Sequence, residues 1–192
     1  MDNGQWTMDN VFIGRPIVKF VQDWDVNISG RLALPADRRA EHPPSYWLAW
    51  VGAHLGDSWL WLLIMGWLWY ITEDDAFQSS VISWIGCVVC ATGVALLIKQ
   101  IVHRPRPITT ETGKLLYGGG PDIHSFPSGH ASRMAAIATW GNIIAPGWGL
   151  LLWPLTLWIG WSRVHLSVHY VGDILAGYLL GWFISTLWIW IG

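Results

Sequence analysis

The chain has 192 residues, 53% hydrophobic and only 12% charged, where an average soluble domain carries about 25% charge. A formal net charge of −2 with 17 tryptophans leaves no basic field for nucleic acid and not the composition of a disordered chain. Cys87 and Cys90 are the only cysteines, too few for a disulfide framework, and their spacing on one helical face reads as small core residues rather than a redox or metal pair.

In chain order, residues 1–56 contain no apolar stretch long enough to span a bilayer. They open Met1-Asp2-Asn3-Gly4, without the basic end or cleavage site of a signal peptide, so none is expected. Pro16 suits a first helical turn, and Ile17, Phe20, Val21 and Trp24 follow at i, i+3, i+4 and i+7, which predicts an amphipathic helix. Two readings stand for it: a helix lying in the membrane interface, or one packed on the protein's own surface. His54 and Asp57, at the start of the first apolar stretch, read as a pair capping a membrane helix, with gating of a site as the alternative.

Four uncharged stretches follow, 58–72, 76–98, 134–162 and 174–192. A hydrocarbon core about 30 Å thick takes about 20 apolar helical residues, so the chain reads as an integral membrane protein. The third stretch is too long for one crossing and carries Ala145-Pro146-Gly147, a turn signal that splits it into two antiparallel helices. The expected fold is therefore an all-α polytopic membrane bundle of about five transmembrane helices, near 57–72, 78–98, 129–145, 148–164 and 172–192, plus the N-terminal amphipathic interfacial helix. Barrel strands are excluded because the segments lack alternation. Gly177 and Gly181 in GYLLG, with alanines 131, 135, 136 and 138, are expected to let helices pack closely.

Polar residues at a bundle's mouth are costly and mark function. They gather in three clusters: KQIVHRPRP (Lys99 to Pro107), SFPSGH (Ser125 to His130) and SRVHLSVHYVGD (Ser162 to Asp173). Strict alternation of spans puts all three on one membrane face. Lys99, Arg104, Arg106 and Arg163 bring four positive charges there and Asp173 is the only carboxylate in the clusters, so the ligand should be an anion. Arginine's planar fork suits phosphate oxygens and lysine adds a point charge. Ser128-Gly129 at a helix start would add a hydroxyl, backbone N–H groups and close approach. His169 and Asp173 stand at i and i+4, so the carboxylate can hold one ring nitrogen and leave the other as a nucleophile. His130, from another helix, could protonate a leaving group. Together they predict attack on phosphorus by His169, then hydrolysis of a phosphohistidine. The rival is a metal face of His165, His169 and Asp173; four cations nearby and the lack of further carboxylates argue against it, and no metal is expected.

These clusters resemble the type 2 phosphatidic acid phosphatase superfamily. Its first motif matches Lys99 with Arg106-Pro107, its second Pro127 to His130, and its third Ser162-Arg163, His169 and Asp173, in order and without substitution. The resemblance covers residues 99 to 173 and the adjoining spans. It implies that Lys99, Arg106, Ser128, Gly129 and Arg163 hold phosphate, with His169 as nucleophile, Asp173 orienting it, His130 as acid, and no metal or cofactor. Members acting on lipids commonly have six spans against the five read here, so the N-terminal segment would stand in for a missing helix. The chain divides into an interfacial segment, 1–56, and a transmembrane phosphatase domain, 57–192.

The expected function is hydrolysis of a lipid phosphate or diphosphate. SFPSGHASR is similar to the branch acting on polyisoprenoid and presqualene diphosphates, with phosphatidate and phosphatidylglycerophosphate as alternatives. A lipid phosphotransferase of the same fold and a non-catalytic phosphate-lipid binder or carrier are the competing readings. Five spans argue against the soluble haloperoxidase chemistry found in the same superfamily. By the span order all 11 Lys and Arg lie on the site's face: Arg15, Lys19, Arg31, Arg38, Arg39, Lys99, Arg104, Arg106, Lys114, Arg133 and Arg163. The opposite loop, Thr72 to Asp75, is acidic. The positive-inside rule then puts the site on the cytoplasmic face of the cell's inner membrane.

Overall fold

The structure, a computed structural model, describes residues 16–107 and 123–191, with side chains from residue 20 onward. Among these residues the chain is all helix and turn, without a strand. The helices are α1 (Pro16–Leu32), α2 (Ala36–Arg39), α3 (Pro44–Leu55), α4 (Ser58–Ile71), α5 (Asp75–Val102), α6 (Gly129–Ile144), α7 (Gly149–His165) and α8 (Val171–Ile191). Arg15 and Lys114, both used in the charge count above, lie outside the described residues.

Local chemistry sets the ends that matter. Asp74 caps α5 by accepting from the N–H groups of Ala76 at 2.8 Å and Phe77 at 3.2 Å. At the other end His103 takes a left-handed φ of 51° and its N–H returns to the Lys99 carbonyl, turning the chain out of α5 so that Arg104 to Pro107 run across the bundle mouth. The expected turn at Pro146-Gly147 is present: Gly147 has φ 101°, open to glycine without strain, and α6 and α7 lie on either side of it.

α6 is the axis of the bundle and packs against α5, α7 and α8. Ala131 to Ala138 are buried without a break, which is possible because this helix is built from small residues. The expected close approach is real. A Cβ on Gly177 would stand 2.6 Å from the Ser128 carbonyl, and one on Gly181 would collide with the Ser132 carbonyl. Cys87 is fully buried and Cys90 partly so, both against the main core beside Trp84 and Met134, as expected of core residues.

Helices occupy all five positions expected for spans. By length and apolarity two of them, α5 and α8, are able to cross a membrane, and a third crossing arises if α3 and α4, bent by 53°, form one broken span. α6 has 16 residues and α7 has 17, about 24 and 26 Å at 1.5 Å per residue. His130, Ser132 and Arg133 occupy the first turns of α6, and Arg163 and His165 the last turn of α7, which shortens the apolar run of each.

α3 was not expected as an element. Pro44 opens it at the first turn, where proline's missing N–H costs nothing, and Ala49, Gly52 and Ala53 are buried toward α7 and the turn after it, beside Leu166 and Val168. α1 does form where the periodicity placed it. Its apolar Phe20, Val21 and Trp24 are 69%, 55% and 54% exposed, whereas Asp25 and Ser29 are buried. The helix thus docks on the protein, through polar side chains, and leaves its apolar face uncovered.

Candidate active site

The three polar clusters meet at the mouth formed by the end of α5, the start of α6 and the α7–α8 turn. The Ser125 N–H donates to the Arg104 carbonyl at 2.8 Å and its Oγ to the Pro105 carbonyl at 3.0 Å, tying the second cluster to the first. The Ser128 N–H donates to the Asp173 carbonyl at 3.0 Å, tying the second to the third. Within the third, Ser167 takes a φ of 56° and the N–H groups of Val168 and His169 both return to the Arg163 carbonyl, at 3.0 and 3.2 Å. The tight turn this makes delivers His169 just ahead of α8, in whose first turn Asp173 sits.

His169 is 1% exposed and Asp173 fully buried. Arg106 Nη1 lies 3.1 Å from the Val168 carbonyl and 3.2 Å from His169 Nε2. A guanidinium has no acceptor, so Nε2 must be the lone-pair nitrogen of the neutral ring and Nδ1 must carry the proton. Nδ1 faces Asp173 Oδ2 at 3.4 Å, longer than a good hydrogen bond but aligned with that tautomer. Asp173 is itself held, with the Tyr170 N–H donating to Oδ2 at 2.9 Å and Arg104 Nη1 to Oδ1 at 2.8 Å.

The other expected ligands stand on the elements that meet at this mouth. Lys99, on α5 and 1% exposed, donates to the His124 carbonyl at 3.3 Å. Ser128 is the N-cap of α6, its Oγ accepting from the Ala131 N–H at 3.4 Å. Arg163 is buried at the end of α7. Gly129 stands apart from the packing glycines because a Cβ there would meet nothing within 4 Å, so the N-terminus of α6 opens onto space. A Gly129→Ala variant should keep its melting temperature, since nothing is displaced, yet place a methyl where an anion would approach the helix N-terminus. Phosphate or vanadate affinity should fall about tenfold, measured by calorimetry beside a thermal melt.

One expectation needs correcting. Arg104 was counted among the cations available to an anion. It is instead paired to Asp173 and, through Nη2 at 2.7 Å, to Asp25 of α1, and its guanidinium lies 4.1 Å over the Tyr170 ring. The rival metal face is not assembled: His165 Nδ1 donates to the Leu32 carbonyl at 2.9 Å and its ring stacks on Trp161. Among the described residues no three His, Cys, Asp or Glu side chains come together to hold a metal.

Sequence reasoning missed Asp25 and Ser29 as members of this neighbourhood, and it placed Asp57 near the site only as the alternative to a helix cap. Asp25 Oδ1 accepts from the Gly172 N–H at 2.8 Å and Ser29 Oγ from the Val171 N–H at 2.9 Å, so α1 grips the first residues of α8. The only signal was their i, i+4 spacing on the polar face of an amphipathic helix. His130, in the first turn of α6, has its Nε2 3.1 Å from Asp57 Oδ1, and Asp57 Oδ2 lies 3.0 Å from His54 Nδ1. A mainly apolar cavity of about 570 Å³ opens beside Arg104, walled by Val21, Trp24, Phe126 and Leu175.

A model of the PAP2 superfamily matches residues 80–192, from within α5 to the end of the chain. The lipid A 1-phosphatase of Rhizobium etli is 29% identical over 125 residues, covering 60% of this chain and 54% of that protein. The undecaprenyl-diphosphatase of Sulfolobus acidocaldarius is 32% identical over 90 residues, 46% of this chain and 44% of its own. The decaprenylphosphoryl-5-phosphoribose phosphatase of Mycobacterium tuberculosis is 31% identical over 140 residues, 67% and 70% of the two chains. The chain thus spans about half the length of the first two relatives. Its fold is similar to the crystal structure of LpxE from Aquifex aeolicus, with a TM-score of 0.65 over 85% of this chain and 93% of that one at 23% identity. The family match extends over more than half of the chain and takes in all three polar clusters, and on that ground the chain belongs to the PAP2 superfamily.

Proposed function

We propose that this protein is an integral membrane lipid phosphate or diphosphate phosphohydrolase that works through a phosphohistidine on His169 without a metal. The observation that carries this is the Arg106–His169–Asp173 alignment, which leaves the Nε2 lone pair as the reactive position. Phosphate displacing the Arg106 contact would meet that lone pair while Arg106, Lys99, Arg163, Ser128 and the Gly129 N–H take its oxygens. Nε2 forms a bond to phosphorus and the leaving oxygen departs with its electron pair and a proton from His130. Water then attacks phosphorus, gives a proton to His130, and the P–N pair returns to Nε2. Asp173 holds the ring and stabilises the charge it acquires.

The class of substrate rests on the apolar cavity beside Arg104 and on the lipid substrates named for the relatives. An isoprenoid diphosphate or a glycerophospholipid phosphate fits the site equally, and transfer of the phosphoryl group to an alcohol instead of water uses the same residues. In this reading α4 to α8 are the five crossings, residues 57–192 form the phosphatase domain, 1–56 the interfacial segment, and the site faces the cytoplasm.

Purified protein in detergent with a chelator should release phosphate from at least one member of a panel of phosphatidate, phosphatidylglycerophosphate and short and long polyprenyl diphosphates. Quenched turnover should trap a protein phosphate that is labile to acid and stable to base. Loss of release on chelation, restored by a divalent metal, would overturn the mechanism, and binding without turnover across the panel would favour a carrier. Addition of alcohol acceptors separates hydrolase from transferase by product.

A further inference from the structure

Asp57 stands at the N-cap of α4, where a carboxylate ordinarily accepts from an N–H of the first turn, yet its side chain makes no such bond. Both oxygens are committed elsewhere, Oδ1 to His130 Nε2 at 3.1 Å and Oδ2 to His54 Nδ1 at 3.0 Å. The expected role as a helix cap is therefore not the one the geometry displays.

The bend that carries Asp57 is clamped onto α6. Arg133 donates from Nε at 3.2 Å and Nη2 at 2.8 Å to the Gly56 carbonyl. A Cβ on Gly56 would come within 2.8 Å of His130 Cδ2 and of Ile159 Cγ2, so only glycine lets the bend lie this close to the histidine. The His130 ring is 20% exposed and Asp57 27%, while His54 is 46% exposed. Arg163 and Arg133 stand near the ring as cations, and Asp57 is the carboxylate that pairs with it.

The two histidines of the site are held in complementary senses. Asp173 faces Nδ1 of His169, and Nε2 takes the Arg106 contact that phosphate would displace. Asp57 takes Nε2 of His130, which leaves Nδ1 to exchange a proton with the substrate. His54 and Asp57 precede residue 80, where the family match begins.

We propose that Asp57 is the positioning residue of the acid-base histidine: it fixes the tautomer and orientation of His130 and stabilises its imidazolium, with His54 anchoring the second carboxylate oxygen. This rests on the phosphohydrolase reading above. As the P–O bond breaks, its electron pair stays on the leaving oxygen and the Nδ1 proton of His130 moves to it. The neutral ring keeps Nε2–H on Asp57. In the second step Nδ1 takes a proton from the attacking water, and His130 returns to its charged form.

The test compares Asp57→Asn, His54→Gln and His130→Ala on phosphatidate, whose alkoxide needs a proton to leave, and on para-nitrophenyl phosphate, whose phenolate does not. Formation of the phosphoenzyme is followed in single turnover. Asp57→Asn should slow phosphatidate about 10²-fold, the usual worth of a general acid, and at least ten times more than the aryl ester. His54→Gln should show the same bias with a loss of several-fold, and since it removes no contact to α6 it serves if Asp57→Asn does not fold. In the His130→Ala background Asp57→Asn should cost less than about twofold more. Equal losses on the two esters, additive losses in the double variant, or wild-type rates in Asp57→Asn would overturn the proposal while wild-type turnover leaves the phosphohydrolase reading intact. Where the wild type cleaves another lipid of the panel rather than phosphatidate, that lipid takes its place in the comparison, and a wild type that cleaves no member of the panel overturns both.

Discussion

Replacing His169 by alanine should reduce turnover to below about a hundredth of the wild-type rate on every lipid phosphate, because the proposed nucleophile is gone. The loss should lie in kcat, with substrate affinity largely kept, since Lys99, Arg106 and Arg163 remain to hold the anion. The trapped protein phosphate should vanish with it. The ring also fills a site that is 1% exposed, so a melt of the variant belongs beside the assay, and His169→Gln gives a version that keeps most of the volume. If both variants hydrolyse lipid phosphate at more than a hundredth of the wild-type rate, the nucleophile is another group. Asp173→Asn should be damaging yet less complete, because the ring stays while its orientation and the stabilisation of its charge are lost.

Arg106→Lys keeps the positive charge and should still cost about 10- to 100-fold in kcat/KM. Two things are lost at once. A planar fork that can take two phosphate oxygens becomes a single ammonium, and hydrogen bonds to charged groups are worth about 1.5–3 kcal/mol each. The donor that faces Nε2 of His169 in the resting site, at 3.2 Å, is also displaced, so the tautomer is less firmly set. A shift in the pH dependence of kcat/KM together with the drop separates this double role from simple loss of charge. A silent Arg106→Lys would mark Arg106 as an anchor of the Val168 turn and nothing more.

The meeting of the three polar clusters was legible because each is a local pattern. The His169 to Asp173 spacing, the Pro-Ser-Gly-His helix start and the Lys99 to Arg106 run each lie within ten residues, and helix geometry carries such spacings faithfully into space. The turn at Gly147 was legible for the same reason. What the chain pattern hid were carboxylates brought from far away. Asp25 reaches Arg104 across 79 positions and Asp57 reaches His130 across 73, and a single aspartate in an interfacial segment carries no spacing that announces its partner. Arg104 shows the limit most plainly, because a charge can be counted from sequence whereas its neutralisation by Asp25 and Asp173 cannot. Crossing number was half legible. Apolar runs located the helices, but polar turns at their ends fall inside the helix and shorten what bilayer length can be claimed for α6 and α7.

Seated on a bilayer, the outward apolar face of α1 would tie membrane attachment to the electrostatics of the candidate site. Phe20, Val21 and Trp24 offer the surface that hydrocarbon would cover, and one step around the same helix Asp25 neutralises Arg104 and holds the Gly172 N–H in the first turn of α8. Lifting α1 off the bilayer would strip Arg104 of one of its two carboxylates and leave it to pull on Asp173 alone. The amphiphile around the protein would then belong to its electrostatics, and a detergent that competes for the face of Trp24 is expected to change the environment of Asp173 through Arg104.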